Sequence, residues 1–274
     1  MATIPFTNAL KAEYENLFQT CRVRPERLAE VEATCTQMLA HQARYEGVQN
    51  AANGVPWYVI AITHYRECSL RFDEHLHNGD PLTRRTTHVP PNRPQAPPKS
   101  GHFPYTFEES ALDALTVRGF SRQTDWSLAH TLYFFETYNG VGYRLYHPYV
   151  LSPYLWCFTN HYTSGGYPRD GVWSDSYVNK QCGTAALLRR LAERGAIEFG
   201  TDGEIVPGGA ASPWDQFEGV RYNPNHVVEL ARQLQHALNT IPGIHLVEDG
   251  EAGQRTSDAL KKVTGHYLLG DPRG

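Results

Sequence analysis

The 274-residue sequence lacks any uninterrupted apolar run of about eighteen residues, the length a membrane-crossing helix needs. Its opening, MATIPFTNALKAEYENL, lacks the basic stretch and apolar core of a secretory signal. The expectation is synthesis in the cytoplasm, with any action outside the cell following release or export by another route, such as a lysis pore or secretion machine. Positive charge is also scarce: 25 Lys and Arg against 29 Asp and Glu leave a formal net charge of −4. Phosphate binding needs a basic stripe, so nucleic acid is excluded as the expected partner. Cysteines are few and odd in number, and no two stand in CxxC spacing: Cys21, Cys35, Cys68, Cys157 and Cys182. That argues against a disulfide framework and against a zinc site, and it leaves buried, reduced thiols. No metal or other cofactor is expected.

Tyrosine is what the sequence has in excess. Between Tyr133 and Tyr167 there are eight, together with Phe134, Phe135, Trp156 and Phe158. A tyrosine hydroxyl must be satisfied, so such density suits the rim of a cleft, although aromatics also fill cores. Flat faces with polar tips fit sugar rings.

The periodicity predicts a mainly α chain. Helices are expected over 8–20, over 25–46, and from Pro56 to about Phe72. The proline-rich segment 87–105 cannot be regular structure, and it is expected as an ordered loop between helices. TFEESALDAL restarts a helix with Thr106 and Glu109 as a capping box. Further helices are expected over 125–138, capped by Asp125, and over 176–194, with Val178, Cys182, Ala185, Leu188 and Leu191 on one face. The pattern lapses over 196–223 and resumes in two short helices, giving a main domain 1–195, a linker 196–223 and a module 224–274.

One stretch holds a chemical oddity. ITHYRECSLRF places Glu67 in an otherwise apolar helix. Partial burial favours the protonated form of a carboxyl group, and glycosidic cleavage needs a proton for the leaving oxygen. The competing reading is a structural ion pair with Arg66 or Arg71. Asp80, in the turn HNGDP, is the candidate second carboxylate, and its competing role is turn chemistry. His64 either polarises the acid or packs in the core.

These strings resemble a known family. ITHYRECSLRF looks like the catalytic helix of the lysozyme superfamily, especially goose-type lysozymes and soluble lytic transglycosylases. FFETYNGVGYR resembles the transglycosylase segment in which Tyr-Asn-Gly borders the sugar cleft. HLHNGDPLTRRTTHVPPNRP and YNGVGYRLYHPYVLSPYLWCFTNHYTSGGY look like a phage- and bacterium-borne group of peptidoglycan hydrolases, over roughly residues 50–192. Cys68 intervenes between Glu67 and Ser69, a departure from the Glu-Ser pattern. The tail VVELARQLQHALNTIPGIHLVEDGEAGQRTSDALKKVTG resembles a small three-helix peptidoglycan-binding module, with Leu234-Gln235, Asp249-Gly250, Gly253 and Thr256 in the family's order. A helical hairpin packed on the main domain is the plainer alternative.

The resemblance implies a lysozyme-like α-helical catalytic domain with long loops and a monomer acting on peptidoglycan glycan strands. It implies a muramidase cutting between N-acetylmuramic acid and N-acetylglucosamine, with Glu67 as general acid and Asp80 placing water. Tyr138, Asn139, Tyr143, Tyr154, Trp156, Asn160, His161 and Tyr162 are expected to line the cleft. Without a second carboxylate, attack by the muramyl residue itself gives an anhydro product. Two other classes stay open: a non-catalytic wall-binding or virion structural protein, and a Cys/His amidase using Cys68 or Cys157 with His161.

Overall fold

A computed structural model describes residues 4–169, 171–199, 214–217, 219–241, 243–264 and 266–273. The chain is mainly α, with one two-stranded antiparallel hairpin among the described residues. No helix among them is long and apolar enough to cross a membrane.

Helix α1 (Asn8–Thr20) starts where Thr7 Oγ1 accepts a hydrogen bond from the Leu10 amide, and it buries Tyr14, Leu17 and Phe18. These positions share one helical face. The helix expected over 25–46 is instead a 3₁₀ turn at Pro25–Arg27 followed by α2 (Leu28–Ala40) and α3 (Gln42–Ala51). The chain bends at His41, and the second piece buries Tyr45, whose hydroxyl meets His64 Nδ1 at 2.9 Å.

Helix α4 (Trp57–Cys68) is buried on every side from Trp57 to His64, as a central helix must be, and packs against α2 and α3. It stops at Cys68 rather than near Phe72 because Ser69 and Leu70 both adopt left-handed backbone, φ 50 and 61. Phe72 then turns inward against His64 and Phe107. Helix α5 (Phe107–Val117) carries the expected capping box. The preceding proline-rich loop is ordered: Tyr105 donates to the Ala96 carbonyl at 2.7 Å, and Arg93 grips both Asp113 oxygens.

Helix α6 (Leu128–Asn139) begins later than expected, after Ser127 at the N-cap, and Asp125 accepts from the Ser127 amide instead of capping the helix. Short helices α7 (Gly142–Tyr146) and α8 (Pro153–Trp156) precede strands β1 (Gly166–Arg169) and β2 (Val172–Ser174). The helix expected over 176–194 shrinks to α9 (Thr184–Glu193). Gly183 passes so close to α8 that an added Cβ would lie 2.2 Å from the Leu155 carbonyl oxygen, and this contact needs extended chain. Val178 is accordingly exposed rather than on a buried face.

The first hydrophobic core runs from Tyr14 to Ile197 and Phe199, slightly past the expected boundary. A second core is built from Phe217, Val220, α10 (Glu229–Asn239), α11 (Gln254–Thr264) and Leu268. The module thus begins before residue 224, and of the expected linker 196–223, residues 200–213 and 218 lie outside the described residues. The two cores touch. Arg221 Nη1 reaches Glu13 at 3.3 Å, and His226 stacks on Tyr149 with ring centroids 4.4 Å apart.

Candidate functional site

The last turn of α4 delivers Glu67 to a surface where α6 also ends. Glu67 is half-buried, and among the described residues its carboxylate receives one hydrogen bond, from Tyr138 Oη at 2.9 Å. Tyr138 stands one residue before Asn139, where Gly140 at φ 99 ends α6 and opens the Tyr-Asn-Gly turn. Phe120 and Tyr154 pack against the Tyr138 ring, and the Arg118 guanidinium lies 4.9 Å from its centre. Burial and then the Glu67 charge push the Tyr138 hydroxyl well above its ordinary range, so it stays a donor.

Neither neighbouring arginine neutralises Glu67. Arg71 pairs with Glu74 at 2.5 Å. Arg66 stacks over Tyr154 at 4.0 Å and donates to the Cys182 carbonyl at 3.0 Å. The structural ion-pair reading of Glu67 therefore has no partner among the described residues.

Beside this point opens a cleft of about 470 Å³, lined by Arg66, Asn139, Gly140, Gly142, Tyr143, Pro153, Tyr154, Tyr167, Gly171 and Asn179. Of the expected cleft residues, Asn139, Tyr143 and Tyr154 line it, and Tyr138 stands behind Tyr154 holding Glu67. Glu67 itself is outside that lining, yet its charge acts on Tyr154, whose hydroxyl burial already pushes up. A cavity of about 540 Å³ between α1 and the module is larger, but Leu17, Trp214, Phe217, Leu260 and Val263 make it mostly apolar. Another of about 510 Å³ lies within the module, against Asp249, Glu251 and Asp258. The cleft lined by Arg66 and Tyr154 is the one that opens next to Glu67.

Four expected cleft residues belong elsewhere. Trp156 is fully buried against the edge of His161. His161 Nε2 meets the Leu17 carbonyl oxygen at 2.7 Å, and burial lowers its pKa to about 4. Tyr162 donates to the Gly165 carbonyl and accepts from the Asn179 amide. Asn160 accepts from the Arg22 amide at 2.7 Å, fastening the end of α1. These side chains hold the core together, and aromatic density alone did not separate them from the cleft.

Asp80 also takes its structural role. The turn does fold back: an added Cβ on Gly79 would lie 3.3 Å from the Glu67 carbonyl oxygen. The Asp80 carboxylate, 4% exposed, is nevertheless claimed by the loop beyond it. It accepts from the Thr87 amide at 2.7 Å, the His88 amide at 3.0 Å and His88 Nδ1 at 2.6 Å, with Thr87 Oγ1 and Asn78 Nδ2 at 3.3 Å. Burial opposes its charge, but these donors prevail and hold its pKa far below the usual carboxylate range. Four of these donors crowd Oδ2 and the fifth, His88 Nδ1, takes Oδ1, so the loop holds the carboxylate in place. His64 is likewise a strut: its ring joins Tyr45 to the Arg71 carbonyl, and burial lowers its pKa to about 4.

Sequence reasoning did not place Arg66, Gly140, Gly142, Pro153, Tyr167, Gly171 or Asn179 in the cleft. Tyr167 closed the tyrosine-dense stretch and carried a signal, whereas Asn179 was hidden inside an expected helix. All five cysteines are free and buried. Burial raises the Cys157 thiol to about 11 and the Cys68 thiol further, the reverse of what a nucleophilic thiolate needs. Among the described residues, no group of three or more His, Cys, Asp or Glu side chains is placed to hold a metal ion.

In the module the motif residues meet. Gln235 is buried; its amide donates to Asp249 Oδ1 at 2.8 Å and Thr256 Oγ1 at 3.2 Å, and its oxygen accepts from the Gly250 amide at 2.8 Å. Gly250 takes φ 81, with Val227 and Val228 close by. Comparison of the chain with family models, with curated proteins and with solved structures returned no match.

Proposed function

We propose that the protein cleaves peptidoglycan glycan strands between N-acetylmuramic acid and N-acetylglucosamine, with Glu67 as the general acid. The observation that carries this reading is a half-buried carboxylate, free of any cation partner among the described residues, oriented by one tyrosine hydroxyl beside an aromatic-walled cleft. A carboxyl group without a cation partner beside a sugar-sized cleft is the group placed to hand a proton to a departing sugar oxygen. Tyr143 and Tyr167 offer rings to sugars, and Asn139 and Asn179 offer amides. The lysozyme-superfamily resemblance of ITHYRECSLRF and FFETYNGVGYR supports the same reaction class.

The bonding of Asp80 favours one outcome of that reaction. With Asp80 committed to its loop, the expected second carboxylate is not free to activate water opposite Glu67. Attack on the anomeric carbon by the muramyl 6-hydroxyl, deprotonated by Glu67 after it has protonated the leaving oxygen, needs no second acid. The product is then a 1,6-anhydromuramyl end, as in lytic transglycosylases. Mass spectrometry of fragments released from purified peptidoglycan tests this, because an anhydro end lacks one water relative to a reducing end. Binding without release of any fragment would leave a wall-binding protein instead.

A further inference from the structure

The charge in the cleft is one-sided. Among the described residues, its lining contains one formally charged side chain, Arg66, and no carboxylate. Arg66 commits Nη1 to the Cys182 carbonyl and lays its guanidinium over the Tyr154 ring. Its Nε is shielded from solvent and meets no hydrogen-bonding partner among the described residues. The hydroxyl of Tyr154, a residue only 6% exposed, is in the same condition. A buried donor without a partner is costly, and here two stand together at one wall. Arg118 adds a second positive charge acting on Tyr154. A guanidinium beside a hydroxyl donor matches the two oxygens of a carboxylate.

We infer that Arg66 and Tyr154 form a carboxylate-reading subsite, which selects a sugar bearing an acidic side group over a neutral amino sugar. The inference rests on the glycan-cleaving reading. In peptidoglycan the carboxylate belongs to the muramyl residue, either on its lactyl group where the stem peptide has been removed or on the stem itself. A neutral strand of N-acetylglucosamine offers the same ring faces to Tyr143 and Tyr167 but nothing for Arg66 to hold.

Calorimetric binding to the Glu67→Gln protein, which cannot turn substrate over, tests the subsite with four tetrasaccharides. Three are alternating N-acetylglucosamine–N-acetylmuramic acid chains carrying a free lactyl carboxylate, a lactyl primary amide, or a dipeptide stem ending in a carboxylate. The fourth is chitotetraose. One or both carboxylate ligands bind about tenfold more tightly than the amide and chitotetraose, and the tighter of the two identifies the source of the anion. Arg66→Gln in that background removes the difference between carboxylate and neutral ligands. Tyr154→Phe, which retains the ring under Arg66, narrows the difference several-fold and serves should Arg66→Gln fold poorly. Equal weakening of all four ligands, no change in any, or no binding at all would overturn the inference. Release of fragments from peptidoglycan by the wild type, measured on the same preparation, shows separately whether the glycan-cleaving reading stands.

Discussion

Glu67 and Asp80 are two carboxylates withdrawn from bulk water at neighbouring points of the chain, and their surroundings give them opposite properties. Five donors converge on Asp80, two of them backbone amides and four of them on Oδ2, so its charge is fixed and its orientation is set by the loop. One phenol reaches Glu67, which keeps its remaining lone pairs for a ligand. The number of donors, more than burial, separates a carboxylate that shapes a loop from one that can exchange a proton. Four experiments strain that contrast.

The largest expected effect is on turnover. Glu67→Gln lowers release of glycan fragments by about 10³-fold or more, the scale of losing a general acid together with its role as base. Its melting temperature stays that of the wild type, because no cation among the described residues is left unpaired by the change. Asp80→Asn retains turnover within a few-fold per folded molecule. An Asp80→Asn protein that folds fully yet is as inactive as Glu67→Gln would collapse the distinction between the two sites.

Acid stability comes next. His64, His77 and His161 have pKa values lowered to about 4 by burial, against an ordinary value of 6.5. The unfolded chain therefore binds more protons between those limits, so stability is full above about pH 6.5 and declines as pH falls toward 4, by up to about 3 kcal/mol for each histidine. Asp80 acts lower: its pKa is depressed in the folded state, so its contribution is present above the ordinary carboxylate range and is lost as pH falls below it. Urea midpoints at pH 7.5, 5.5 and 4.5 measure the upper window; a flat profile there would mean the three rings are not buried neutral in solution.

Asp80→Asn probes the turn directly. An amide cannot accept from both the backbone amides and His88 as the carboxylate does, so the 78–90 turn weakens by about 2–3 kcal/mol at neutral pH, the scale of lost hydrogen bonds to a charged group. The gap between variant and wild type closes at low pH, where the wild-type carboxylate protonates as well. A gap that persists unchanged to low pH would point to lost packing instead of lost charge.

The contrast between the two acids was only half legible in the sequence. Glu67 stood out because an apolar helix with one acid breaks its own pattern, and the capping box of α5 and the ends of α1 were equally local signals. The commitment of Asp80 depends on a proline-rich loop returning to it through Thr87 and His88, and closure of that loop is a tertiary event without local periodicity. The loss of residues 176–183 from α9 follows from the close approach of Gly183 to Leu155, which no helical pattern encodes. Trp156 and Tyr162 share the tyrosine-dense segment with Tyr154 and Tyr143, and composition could not tell which rings face inward. Gln235, Asp249, Gly250 and Thr256 were singled out by a resemblance alone, and the buried Gln235 amide that joins them had no signal of its own in the sequence.

The smallest expected effect bears on the single donor that distinguishes Glu67. Tyr138→Phe removes the hydroxyl while leaving the ring against Phe120 and Tyr154. A neutral phenol donating to a carboxylate is worth about 1–2 kcal/mol, so kcat falls roughly 5- to 30-fold. Because Tyr138 positions Glu67 and stands behind Tyr154 in relation to the cleft, KM stays near the wild-type value. Tyr143→Leu, which removes a ring lining the cleft, provides the opposite case, with KM raised and kcat retained. If Tyr138→Phe instead raised KM and left kcat intact, the phenol would be a sugar contact, and Glu67 would have to be held in place by the helix end alone.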